Sequence, residues 1–203
     1  MKKRAAFSFI LAAAAVICAL TVMPGNVRAA SKLEKQCAKI LKAAKVSSKD
    51  DDLTKLEKLF DYVTYKKVSK GEIKAENFTY ARDMTFTKDS AKKNWTNKYA
   101  YNMFLTKSGS CYRFAAGYGF LALKATGLPV RVYVGKTKGF GNPNQQHAWT
   151  EIKIKKKWYV FDTNMDKLSP KVKKPHTYFN KPASKVKKVY YNFKGAKYYD
   201  LSF

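Results

Sequence analysis

Cys111, His147 and Asp162 are the residues of this chain whose types and surroundings suit acyl-transfer chemistry. Cys111 lies in Gly109-Ser110-Cys111-Tyr112-Arg113-Phe114-Ala115-Ala116, His147 in Gln146-His147-Ala148-Trp149-Thr150-Glu151, and Asp162 in Trp158-Tyr159-Val160-Phe161-Asp162-Thr163. A thiol becomes a strong nucleophile when a neighbouring imidazole takes its proton and a third group holds that imidazole in place. Few groups compete for these roles. Beyond residue 30 the cysteines are Cys37 and Cys111, and the histidines are His147 and His176. Their scatter lacks the ligand spacing of a metal site, and no cofactor motif is present.

The element around Cys111 suits a nucleophile. Cys111 to Thr126 reads as a buried helix with Ser110 as its N-cap, and Gly127-Leu128-Pro129 ends it. A cysteine in the first turn sits at the positive end of the helix dipole, where unpaired N–H groups favour a thiolate and an oxyanion. Gly117 and Gly119 inside the helix predict a close approach, expected from the backbone of a facing sheet.

His147 and Asp162 can be related by parity. His147–Ile154 and Trp158–Thr163 read as two strands joined by a turn at Lys155-Lys156. Ile154 then faces Lys157 and Trp149 opposes Asp162. His147 becomes the diagonal neighbour of Asp162 on the same face, with Cα atoms about 7–8 Å apart. A three-residue turn without a bulge would separate them. His176, in Lys174-Pro175-His176-Thr177, is the competing base and reads as surface loop.

Other elements supply the frame. Lys32–Lys45 reads as an amphipathic helix with Cys37 on its apolar stripe, hence a core residue. Asp50-Asp51-Asp52 begins a second helix carrying Leu53, Leu56, Leu59, Phe60 and Val63 to near Tyr65, with an aspartate as N-cap. Residues 66–90 fit a short hairpin or an irregular segment equally. Ala91–Leu105 reads as a helix with Trp95, Tyr99 and Phe104 as core. Val130–Gly135 is a strand, Lys136–Gln146 a Gly/Asn/Pro loop, and the tail holds strands at Val189–Phe193 and Lys197–Ser202 hinged at Gly195.

The first thirty residues read as a secretory signal peptide. Lys2-Lys3-Arg4 precede an apolar run to Met23, and Val27-Arg28-Ala29 offers small residues for cleavage after Ala29 or Ala30. The alternative is a retained anchor, since the run is nearly long enough to span. The full chain carries +27; its first thirty residues hold four basic and no acidic groups, leaving +23 beyond them. That charge, nearly all lysine, favours an anionic envelope polymer as partner, or simply solvates the surface. No nucleic-acid recognition module accompanies it. The expected organisation is a signal peptide over 1–30, a helical and variable segment over 31–90, and a catalytic core over 91–203 with basic C-terminal strands.

Gly109-Ser110-Cys111, Gly127-Leu128-Pro129-Val130-Arg131, Gly135, His147-Ala148-Trp149-Thr150-Glu151 and Trp158-Tyr159-Val160-Phe161-Asp162-Thr163 together resemble the transglutaminase-like superfamily, the papain-fold group of cysteine acyl-transfer enzymes. The resemblance covers roughly residues 91–165. It implies an α+β fold with the Cys111 helix packed on an antiparallel sheet. It also implies Cys111 as nucleophile, His147 as base and acid, and Asp162 as its orienting group.

The leading expectation is a secreted cysteine enzyme that cleaves or transfers an amide acyl group of a protein or cell-wall peptide through a thioester. Two other readings stand beside it. One is a non-catalytic module of the same fold that binds an anionic envelope polymer. The other is redox control by a Cys37–Cys111 disulfide, which requires Cα atoms within about 7 Å.

Overall fold

A computed structural model describes residues 31–203, except 66–67, 70–71, 74–76, 83–93, 143, 170 and 188–189. The signal-peptide and anchor readings of residues 1–30 lie outside the described residues. Helix α1 (Lys32–Ala43) opens on a reciprocal cap between Ser31 and Glu34, and α2 (Asp52–Thr64) opens on Asp51, whose carboxylate accepts the Thr54 N–H. Both satisfy backbone donors that the first turn leaves unpaired. In the 66–90 segment, β1 (Val68–Ser69) and β2 (Glu72–Ile73) form a small hairpin, and β3 (Thr79–Tyr80) pairs in parallel with β4 (Ser108–Gly109). Helix α3 (Trp95–Thr106) buries Trp95, Tyr99 and Phe104 as expected; residues 91–93 are not described.

Helix α4 (Cys111–Thr126) has the predicted limits, and Gly127 closes it at φ +68°, the left-handed conformation that glycine adopts without a Cβ clash. Apart from half-buried Arg113, it is buried from Tyr112 to Ala122, packed by α1, α2 and α3 and by the sheet. The close approaches at its glycines come from side chains, not from sheet backbone. A Cβ on Gly117 would lie 2.5 Å from Met103 Sδ, and one on Gly119 would lie 2.7 Å from Leu201 Cδ1. Side chains reach these positions because α3 and the C-terminal tail are laid directly on the helix.

The sheet has the order β8-β7-β6-β5-β9, with every neighbouring pair antiparallel. Its strands are β5 (Val130–Thr137), β6 (Gln145–Ile154), β7 (Lys157–Phe161), β8 (Lys181–Pro182) and β9 (Tyr191–Asp200). The strands β5 and β6 take both ends of the expected 136–146 loop, leaving 138–144 as the connection. Along β6, Ala148 and Ile152 join the core beneath α4, and Trp149 joins a second aromatic core on the opposite face. The core on that second face takes Met165 from the short helix α5 (Thr163–Leu168), and Ala183 and Val186 from α6 (Ala183–Val186).

The two tail strands expected around Gly195 form one irregular strand. Val134 pairs with Lys197 but Lys136 pairs with Asn192, so β9 carries three extra residues at a bulge where Gly195 sits at φ +72°. Because three is odd, the facing parity reverses. Tyr198, after the bulge, and Phe193, at its start, therefore both pack on Tyr133, at 5.6 and 5.1 Å between ring centroids. Val189 lies outside the described residues.

Candidate active site

Cys111 is the first residue of α4. Ser110 occupies the N-cap position with extended backbone, but its hydroxyl makes no bond to the helix N–H groups. The side-chain cap is thus missing from the turn that carries the thiol, and its backbone donors stay available to an anion there.

The hairpin that carries His147 has the predicted register. Ile154 pairs with Lys157 and Thr150 with Phe161 across the Lys155-Lys156 turn. Both lysines have positive φ, 46° and 67°, as a two-residue turn of the type that matches strand twist requires. Asp162 follows the last paired residue, and its Oδ2 lies 2.6 Å from His147 Nε2. Both side chains are 1% exposed. Cys111, at the start of α4, is close enough to the same imidazole to help raise its proton affinity. With Nε2 on Asp162, Nδ1 is the nitrogen left for sulfur. The structure therefore brings Cys111, His147 and Asp162 together.

The imidazole is held from three sides. Trp149 lies nearly parallel to it at 6.3 Å, Tyr191 nearly parallel at 6.5 Å, and Phe140 meets it edge-on at 5.3 Å. Trp149 is itself stacked on Tyr133 and directs its Nε1 at Glu151, 3.4 Å away. Burial by itself disfavours the charged ring. The charge and hydrogen bond of Asp162, helped by Cys111, outweigh that and raise His147 well above the ordinary imidazole value.

Asp162 does two jobs. Its Oδ1 accepts the Met165 N–H at 2.8 Å and so caps α5, which fixes the plane of the carboxylate. Its Oδ2 faces His147 and also accepts the Tyr191 hydroxyl at 2.9 Å. Within α5, Asp166 accepts the Tyr65 hydroxyl and the Tyr178 N–H, tying the cap to α2 and to the following loop. Sequence reading missed Tyr191 and α5. Tyr191 reaches the site only through the β5–β9 pairing, and α5 is six residues of mostly polar sequence without apolar periodicity. The one available signal was the Asp162-Thr163-Asn164 run, which suits a helix start.

The other candidates are placed elsewhere. His176 Nε2 bonds Asp61 Oδ1 at 2.6 Å, with Glu57 at 3.5 Å from Nδ1, so it belongs to the α2 surface. Cys37 is fully buried in the α1 core, and burial pushes its thiol up to about 12. Cys37 and Cys111 are both free thiols in this structure. Beside the nucleophile, the Tyr112 hydroxyl donates to Gln146 Oε1 at 3.3 Å, linking the first turn of α4 to the start of β6. Among the described residues no three His, Cys, Asp or Glu side chains group to hold a metal ion.

Two solved structures are similar to this chain at low identity. One is a candidate cysteine protease from Cytophaga hutchinsonii, 19% identical, with a TM-score of 0.44 over 82% of this chain and 49% of that one. The other is a TGase, 16% identical, with a TM-score of 0.46 over 78% of this chain and 40% of that one. The chain thus spans about half of those proteins or less. No curated protein matches it. The family model of the transglutaminase-like superfamily matches residues 40–163, more than half of the chain and a span that contains Cys111, His147 and Asp162. With an α+β papain-like fold and a matching sequence core, the chain belongs to the transglutaminase-like superfamily.

Proposed function

We propose that this protein is an exported cysteine enzyme that cleaves or transfers the acyl group of an amide in a protein or envelope peptide. The observation that carries the reading is the buried 2.6 Å contact between His147 and Asp162, with Cys111 near enough to influence the same ring. Cys111 Sγ attacks the amide carbon as its proton passes to His147. The resulting oxyanion is met by backbone N–H groups at the uncapped start of α4. The imidazolium then protonates the departing amine, the C–N bond breaks, and a thioester remains on Cys111. In the second half His147 takes a proton from water or an acceptor amine, which attacks the thioester. The thiolate leaves, recovers the proton and restores the enzyme.

The basic surface, +23 beyond residue 30, supports an anionic envelope as the setting for this reaction. The test is the rate of Cys111 alkylation by iodoacetamide against pH, with His147→Ala beside it. Reactivity that persists well below the ordinary thiol pKa of about 8.5, and that is lost in His147→Ala, supports the enzyme. An ordinary thiol titration unchanged by the mutation overturns it, and leaves the polymer-binding module as the better account.

A further inference from the structure

Tyr191 has no part in the steps above, yet its hydroxyl ends on the same oxygen as the imidazole. Asp162 Oδ2 meets two donors, His147 Nε2 at 2.6 Å and the Tyr191 hydroxyl at 2.9 Å. The tyrosine is 3% exposed, and its ring lies against Trp149 at 4.7 Å and edge-on to Tyr178 at 6.5 Å. Burial first, then the adjacent Asp162 charge, holds its phenol well above its ordinary value, so it remains a donor.

We propose that Tyr191 is a positioning residue of this site: its hydroxyl shares Asp162 Oδ2 with His147, fixes the carboxylate in line with the ring, and limits how tightly that carboxylate holds the imidazolium proton. The inference rests on the Cys111–His147–Asp162 reading and deepens it. Two physical effects operate. A carboxylate turns about its last side-chain bond, and donors from Met165, His147 and Tyr191 together fix its plane. Each donor also draws on the negative charge of the oxygen it meets. An oxygen shared with a phenol pulls less on the imidazolium, which must release its proton to the leaving amine within each turnover. A carboxylate without the phenol would hold that proton more firmly.

The groups around the ring are few. Cys111 faces it from α4, Asp162 from the cap of α5, and Tyr191 from β9; Asp166 of α5 and Tyr178 lie behind Tyr191. Among the described residues, the leading influences on His147's proton affinity are burial, Asp162 and Cys111. Asp162 is therefore its main charged partner, and a second donor on Asp162 is felt directly.

The chain has two histidines, so the ring signals of His147 can be followed by NMR and assigned with His176→Asn. In a Cys111→Ala background, which removes the thiol from the titration, Tyr191→Phe is expected to raise the His147 pKa by about half a unit to one unit. Tyr178→Phe, which removes a hydroxyl from the same aromatic cluster, should leave it unmoved. A His147 pKa unchanged or lowered in Tyr191→Phe overturns the proposal, as does an equal rise in Tyr178→Phe. If Tyr191→Phe does not fold, the Tyr191 hydroxyl proton is the second readout: its downfield signal must move or vanish in Asp162→Asn, and a signal that stays put overturns the proposal. The alkylation profile of Cys111 in the unmutated protein judges the enzyme reading separately. A reactive thiol with no Tyr191→Phe shift discards Tyr191 alone, whereas a plain thiol profile discards the enzyme reading.

Discussion

Asp162→Asn is the substitution on which the site bears most directly. The carboxylate serves three donors at once: the Met165 N–H on Oδ1, and His147 and Tyr191 on Oδ2. An amide has one acceptor end and one donor end, so it cannot replace it in either orientation. With its oxygen toward Met165 the helix cap survives, but the NH₂ group faces two donors. The imidazole must then present a bare Nε2 and carry its proton on Nδ1, toward Cys111. A ring in that tautomer cannot take the thiol proton. With the amide reversed, the NH₂ group meets the Met165 N–H and the cap of α5 is lost. Losing a charge-assisted hydrogen bond alone is worth about 1.5–3 kcal/mol, or roughly 10- to 150-fold in rate. Trapping the wrong tautomer in a serine triad costs about 10⁴-fold. We therefore expect Asp162→Asn to slow neutral-pH alkylation of Cys111 at least about tenfold and turnover about 10²- to 10⁴-fold. A buried donor left unpaired should also lower stability by about 1–3 kcal/mol. Iodoacetamide labelling followed by mass spectrometry reads the first effect, and urea unfolding the second. Labelling within about threefold of the unmutated protein, at a stability loss inside that range, would refute the reasoning.

Other outcomes follow from the same structure. Raising His147 above its unfolded value of about 6.5 means that its contribution to stability is complete below that pH and is lost as pH climbs through the raised folded value. Urea midpoints should fall on the alkaline side, and fall less steeply in Asp162→Asn; parallel curves would count against the pair. Native protein beginning near residue 31 should take up one iodoacetamide, at Cys111, and a second at Cys37 only after unfolding, because burial holds the Cys37 thiol up to about 12; double labelling of folded protein would contradict this. Arg131 bonds Glu151 at 2.8 Å while Glu151 is fully buried, so Arg131→Met should cost about 3–5 kcal/mol by stranding a charge. The double change Arg131→Met with Glu151→Leu should recover most of that loss, and no recovery would contradict a stranded-charge origin.

Local signals carried much of this architecture. Helix α4 was readable end to end because Gly-Ser precedes it and Gly-Leu-Pro follows it, and both are punctuation that acts on neighbouring residues. The register of β6 and β7 was readable through parity, although its turn offers lysines where glycine or asparagine would be expected. What could not be read depends on distant parts of the chain. Tyr191 finds Asp162 across 29 residues of sequence, and nothing near Tyr191 marks it as a site residue. The side chains nearest Gly117 come from α3, and those nearest Gly119 from the C-terminal tail and from β5 and β6, so the glycines announced a close approach without naming the neighbour. Ser110 stands where a capping serine belongs yet does not bond the helix, a difference of side-chain rotation that a residue type does not encode.

The bulge in β9 acts on the site much as a reading frame acts on a message. Between Asn192 and Lys197 the strand holds three residues more than β5 requires, and that odd count decides which side of the sheet Tyr191 occupies. Deleting one of them could leave the ladder to β5 hydrogen-bonded on both sides of the bulge while turning every side chain from Tyr191 to the bulge onto the wrong face. The phenol would then leave Asp162 without any change to a site residue. On the proposed role of Tyr191, length variation of a single residue in this stretch would be a functional mutation in the guise of a neutral one. A related chain with Cys111, His147 and Asp162 intact but one residue fewer before Lys197 should be judged by that count before its triad is trusted.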